Sequence, residues 1–260
     1  MKKMEPFFTP PVPAEIETYI GETLENGLAQ GNGSAALFFR ADDIGVPSLH
    51  FSQMINVFRK YRMPLCLAVV PSWLTSRRLH QLRQITGNST GFCWHQHGWL
   101  HKNHEPSGKK QEFGESRPLE KIEKDLLRGK DRLEQLLGKS SFPLFTPPWN
   151  RCGATTLQLL ADHGFSGVSR SRGATPSSPD CLPDIQVNVD LHTRKESDAA
   201  VSLGSLLKEM QLSIAGGTCG IMLHHQLMDA QALVFLDRLL QTVLQFSNIF
   251  PVHFEDLVRR

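Results

Sequence analysis

The 260-residue chain has no run of 18 apolar residues, so no stretch of it reads as a transmembrane helix. Its opening, MKKMEPFFTPPVPAEIETYIG, carries two lysines but no apolar core, because Glu5, the prolines, Glu15 and Glu17 interrupt it. That is the pattern of a chain without an export leader. Neither sign of charge dominates, and a formal net charge of +2 gives no case for nucleic acid or an anionic membrane surface as partner. Cys66, Cys93, Cys152, Cys181 and Cys219 are odd in number, widely spaced and free of C-x-x-C pairs. A disulfide framework is thereby disfavoured, and buried, reduced thiols are expected. There is no internal repeat and no long low-complexity linker. These absences predict a cytoplasmic protein made of one domain over 1–260, with residues 1–34 packed on it as an N-terminal extension.

What is present is alternation. Strand-like runs at 35–42, 64–71, 91–97, 142–148, 165–171, 185–192 and 219–225 are separated by helical patterns at 51–61, 76–86, 118–138, 153–163, 199–214 and 229–246. A last apolar run at 249–254 is placed to close the sheet. Strand and helix alternating at this spacing imply parallel βαβ units, and seven or eight of them predict a single-domain distorted (β/α)7-8 barrel. The stretch 172–184 is the least regular.

The polar residues fall at strand ends. Arg40-Ala41-Asp42-Asp43 closes the first strand, His95-Gln96-His97 the third, and Thr146-Pro147-Pro148-Trp149-Asn150 the fourth. Asp190 and His192 close a later strand, and His224-His225 the seventh. In a parallel barrel these C-terminal ends share one face, where active sites are built. Four histidines lie within the eleven residues WHQHGWLHKNH, 94–104. His97 and His101 stand at i, i+4, which on a helix would put both rings on one side and suits a divalent ion. Asp42 and Asp43 repel one another unless a cation takes one of them; the alternative is that one caps the loop before Gly45 and the other is solvated. His95 either lines the pocket or supports it; His104 reads as a solvated loop residue. His224 is in reach of the same face as an acid or base, while His225 would point away. The polar stretch 107–115 is read as a solvated connection or a lid.

The motifs resemble those of the polysaccharide deacetylase family, carbohydrate esterase family 4. RADDIG is similar to its T-F-D-D-G motif, HGWLH to its H-[ST]-x-x-H, TPPWN to its Pro-aromatic third motif and IMLH to its L-x-H, all in family order from 40 to 225. The resemblance implies a distorted barrel and a metal-dependent hydrolase of acetamido groups on sugars. It assigns Asp43, His97 and His101 to a divalent metal, Asp42 to the general base and His224 to the general acid. It assigns the N–H of Trp149 to the oxyanion; Asn150 and His95 are expected beside the substrate by their strand-end positions. Two features depart from the pattern. Thr146 stands where the third motif has an arginine, leaving Arg40 or Arg151 as substitutes, and Asp190 only loosely matches the aspartate that pairs with the acid histidine.

Zinc is the expected metal, with cobalt, nickel, iron and manganese also compatible with Asp-His-His. An acetylated sugar or glycan precursor for a surface polysaccharide is the expected partner, a homodimer would be unsurprising, and neither nucleic acid nor membrane insertion is expected. The rivals are a catalytically silent glycan-binding barrel and a related metal hydrolase acting on a non-sugar amide. The His95-x-His97 pair also imitates amidohydrolase barrels, but those carry H-x-H on the first strand.

Overall fold

The computed structural model describes residues 12–87, 90–194, 196 and 198–258. The first eleven residues, on which much of the reading of the N-terminus rests, lie outside them. In chain order the elements are α1 (Ile16–Gln30), β1 (Ala35–Ile44), α2 (Leu49–Lys60), β2 (Leu65–Val69), α3 (Ser76–Thr86), β3 (Phe92–His97), α4 (Leu119–Leu137) and β4 (Ser141–Thr146). There follow α5 (Ala154–Asp162), β5 (Gly167–Val168), β6 (Val189–Asp190), α6 (Ala199–Ala215), β7 (Thr218–Leu223), α7 (Ala230–Val243), β8 (Ile249–Pro251) and α8 (Phe254–Val258). The class is α/β with parallel pairing, as the alternation predicts. Among the described residues no helix is long and apolar enough to cross a membrane.

Several boundaries follow from capping. The side chains of Ser48, Thr75, Asp198 and Asp229 accept the N–H three residues on, which satisfies a donor that the first helical turn leaves without a partner. Helix α3 begins and ends where the sequence predicts because Thr75 caps its start and Gly87, at φ +67°, turns the chain out of it.

The chain divides into two compact units. One holds Met1–Ala41, Ser48–Leu65 and Asn188–Val252. In it β1 is flanked by β7 and β8, and β6 pairs with the far side of β7, all parallel. Phe39 of β1 meets Phe58 of α2 edge-on at 5.2 Å between ring centroids. Helix α1 lies on α6 and α7. The α1–α6 approach depends on Gly27, where a Cβ would sit 2.8 Å from Gln211 O and Ile214 Cβ.

The other unit holds Asp42–Pro47, Cys66–Val187 and His253–Arg260. Its strands run in the order β5-β4-β3-β2. Its core joins Trp99, Phe113, Leu126, Phe145, Leu157 and Phe165, with Phe145 edge-on to Phe113 at 5.2 Å and to Phe165 at 6.0 Å.

Two expectations need correction. Four cysteines are buried and free, but Cys181 is exposed. The strand read at 185–192 is split between the units. Ile185 and Val187 donate to Val168 and Arg170 in one, while Asn188 donates to Gly220 in the other, so only Val189–Asp190 remains as a regular strand.

Candidate metal centre

The end of β1 and the turn after β3 bring Asp43, His97 and His101 together, with one ligand atom from each lying within 4.8 Å of the others. Asp43 Oδ1 is 3.3 Å from His97 Nε2 and 3.1 Å from His101 Nε2. Donors about 2.0–2.1 Å from a tetrahedral zinc stand roughly 3.3 Å apart, so the spacing fits a single ion. The tautomer fits too. His97 Nδ1–H donates to Thr146 O at 2.9 Å, which leaves the Nε2 lone pair facing Asp43. The donor set therefore suits a divalent cation, with one carboxylate, two imidazoles and open positions beyond them.

The histidines do not meet by helical spacing. No helix follows β3; Gly98 at φ +59° and His101 at φ +57° turn the chain back instead. The carboxylate of Glu112, which is fully buried, accepts the N–H groups of Trp99, Leu100 and His101 at 3.3, 2.6 and 3.1 Å. Nothing in the stretch 107–115 marked Glu112 as buried, because its partners are backbone groups that no side-chain motif records. Its neighbour Phe113 is buried as well, so this stretch is pinned rather than solvated at that point.

Charge around the ligands is unevenly balanced. Burial is the largest single influence on His97 and lowers its affinity for a proton, but the Asp43 and Asp42 carboxylates and the Thr146 carbonyl together outweigh it and lift the pKa above the ordinary value. Burial, reinforced by the neighbouring His97, takes His101 below its own.

The structure places the other residues as follows. Asp42 is buried beside them in sequence. Trp149, at φ 57°, sets its ring 4.5 Å from that of His101 at a tilt of 57°, and the Trp73 ring is 5.9 Å away, tilted by 44°. Asn150 follows at φ 59°. His95 is fully enclosed, with Nε2 on the Thr146 hydroxyl at 2.9 Å and its ring against Phe254, which is a supporting position. Thr146 thus grips two histidines, one by its carbonyl and one by its hydroxyl. The side chain of Arg151 makes no hydrogen bond or ion pair among the described residues, whereas Arg40 is fully buried with Nη2 3.1 Å from Met222 Sδ.

The other unit carries His192, His224 and His225. His225 is packed edge-on to Phe51, and His224 is half-buried. Asp190 makes no bond to the His224 ring. Its carboxylate accepts the N–H groups of His192 and Thr193 and the Thr193 hydroxyl, shaping the turn that carries His192. His192 Nδ1 in turn accepts the His224 N–H at 3.1 Å. That bond requires neutral His192, and burial, helped by the neighbouring His224, pushes its pKa down from 6.5 to about 3.

The consequence for stability has a definite sign. Between pH 6.5 and about 3 the unfolded chain binds a proton at His192 that the folded chain refuses. Its contribution is therefore complete above pH 6.5 and lost as pH falls through that window, with a slope of up to about 1.4 kcal/mol per pH unit. Urea melts of wild type and His192→Asn at pH 4, 5, 6 and 7 should show a shallower dependence in the variant; parallel curves would refute this.

Parallel α/β topology thus carries, at and just beyond its strand ends, an Asp-His-His cluster able to hold a divalent cation. The sequence profile of the polysaccharide deacetylase family matches residues 30–168, just over half of the chain. The chain belongs to that family, whose members are hydrolases of amide and ester bonds in acetylated sugars.

Three solved structures show the same barrel-type fold. A Mycobacterium smegmatis protein described as a polysaccharide deacetylase is 16% identical, with 87% of this chain and 89% of that one covered and a TM-score of 0.65. Puue allantoinase is 14% identical over 86% and 89%, with a TM-score of 0.61. An acetyl xylan esterase of Clostridium thermocellum, solved with a cobalt ion, is 14% identical over 86% and 90%, with a TM-score of 0.55. No curated protein sequence matches the chain.

Proposed function

We propose that the protein is a metal-dependent deacetylase that removes the acetyl group from an acetamido sugar, acting in the cytoplasm on a precursor of a surface glycan. The observation that carries this reading is the Asp43–His97–His101 cluster, with His97 fixed in the ligating tautomer by Thr146. Zinc suits two imidazoles and a carboxylate, and cobalt, nickel, iron or manganese could occupy the same donors. When bound there, the cation supplies Lewis acidity, polarising a carbonyl and making water easier to deprotonate.

The chain's own groups divide the remaining work. Asp42 takes a proton from the attacking water. The Trp149 N–H, presented by a left-handed turn, donates to the oxygen that gains charge. His224 protonates the departing nitrogen, and acetate leaves with the amine free. The role of His224 rests on the IMLH motif, and that of Asp42 on RADDIG. The cytoplasmic setting is supported by the free cysteines, and the precursor follows from that setting.

The test is acetate release from a panel of N-acetylhexosamines, free, nucleotide-linked and polymeric, with and without chelator. Release that chelator abolishes and zinc or cobalt restores supports the reading. Turnover that survives exhaustive chelation would sink it. A second reading, hydrolysis of a non-sugar amide, is favoured by the fold shared with an allantoinase. Hydantoins and ureides in the same panel separate the two.

A further inference from the structure

Glu112 is a fully buried acid in an otherwise polar stretch, SGKKQEFGE. Burying a carboxylate costs several kcal/mol unless hydrogen bonds replace its water. Here three successive backbone amides do so. Oε1 accepts from Leu100, and Oε2 accepts from Trp99 and His101. The last of the three belongs to a residue whose own Nε2 is 3.1 Å from Asp43 Oδ1.

The local backbone explains why such a grip is needed. His101 sits at φ +57°, a region that costs a non-glycine residue on the order of 1 kcal/mol. A hydrogen bond from its own N–H holds it there. Gly98 completes the arrangement, since a Cβ at that position would lie 2.3 Å from Glu112 Oε2 and 2.5 Å from Pro148 Cγ. The serine or threonine that the H-[ST]-x-x-H motif has there would force the Glu112 carboxylate and the Pro148 ring to shift. Glu112 is itself anchored on both sides. Its carbonyl accepts from Arg117 Nη1 at 3.0 Å, and the carbonyl of Phe113 accepts from Gly153 N and Thr156 Oγ1.

We propose that Glu112 is the positioning residue of the metal centre: its carboxylate holds the Trp99–His101 backbone in the conformation that aims His101 at Asp43 and His97, and so sets the affinity of the site for a divalent cation. This rests on reading Asp43, His97 and His101 as metal ligands. The consequence is specific, because removing the carboxylate frees one ligand while leaving Asp43 and His97 in place.

The experiment compares the full-length wild type with Glu112→Gln, which keeps the shape but offers one acceptor oxygen and turns an amide donor toward the loop's N–H groups. Cobalt(II) affinity, the visible absorption of the bound cobalt and amide hydrogen exchange at 99–101 are measured. Glu115→Gln is the control, since Glu115 lies in the same stretch but among the described residues its carboxylate bonds only to Thr155, at 3.3 and 3.0 Å. The expected result is cobalt bound about 10–100-fold more weakly by Glu112→Gln, with an altered spectrum, faster exchange at 99–101 and unchanged far-ultraviolet dichroism. The control should match wild type.

Unchanged affinity and exchange in Glu112→Gln would overturn the proposal, as would equal weakening in Glu115→Gln. A wild type that binds no cobalt would instead overturn the reading of the metal ligands; exchange at 99–101 still shows whether Glu112 holds the loop. Should Glu112→Gln fold poorly, Glu112→Asp, which keeps the charge on a shorter arm, is put through the same measurements, and wild-type cobalt affinity in it counts against the proposal.

Discussion

His97→Ala is expected to lose its cation and, with it, hydrolytic activity, while keeping the secondary structure of wild type. His97 supplies one of three donors, and its Nδ1 is already committed to the Thr146 carbonyl, so no rotation of a neighbour can replace it. Residues that merely support a ligand typically contribute about 10–100-fold to metal affinity, which makes roughly a hundredfold a floor for losing the ligand itself. Asp43→Ala should behave alike, because Asp43 Oδ1 faces both imidazoles at 3.3 and 3.1 Å and removing it leaves two neutral rings. Acid should act in the same direction. Protons compete with the cation for His97, whose pKa is lifted by Asp43, so affinity falls as pH falls. Metal analysis of the purified proteins, followed by zinc or cobalt titration at pH 8, 7 and 6, reads all of this. Stoichiometric metal in either variant would remove the residue from the donor set.

The grouping of Asp43, His97 and His101 was legible in the sequence because side chains form it. Strand-end placement, a carboxylate pair and closely spaced histidines are features of residue type and position, and the order of four motifs tied them together. What holds the ligands was not legible. Glu112 works on three backbone N–H groups, and Thr146 holds His97 through its carbonyl, so neither contact depends on a residue-type pattern. The i, i+4 spacing of His97 and His101 suggested a helix, yet positive φ at Gly98 and His101 gives a turn that reaches the same result by another route. Fold class survived such local differences because it depends on the alternation of whole elements. Helix α3 matched at both ends because Thr75 and Gly87 mark it. The run at 185–192 looked like one strand because apolar alternation does not reveal that its two halves bond to different partners.

His224→Ala is expected to lower kcat on an acetamido substrate by about a hundredfold to ten-thousandfold, the usual loss for a general acid. At 1.36 kcal/mol per decade this corresponds to about 3–5 kcal/mol of transition-state stabilisation. The structure separates His224 from its neighbour in a way that makes the test clean. His225 is buried, edge-on to Phe51 at 5.6 Å, so its replacement by alanine removes packing and should lower the melting temperature more than kcat. His224 is half-buried and contributes its backbone N–H, not its ring, to the bond with His192. Alanine keeps that N–H, so the fold around the turn should persist and the kinetic loss report on the imidazole. Metal content should equal that of wild type, since none of the three ligand atoms comes from this residue. The pattern that assigns the acid is thus a large fall in kcat, intact metal and an unchanged melt in His224→Ala, set against the reverse in His225→Ala. A His224→Ala enzyme within about threefold of the parent kcat, far inside the range expected for such a group, would transfer the proton to another donor. The rival reading of a silent glycan-binding barrel would be met in the same experiment, as sugar binding without acetate release in either protein.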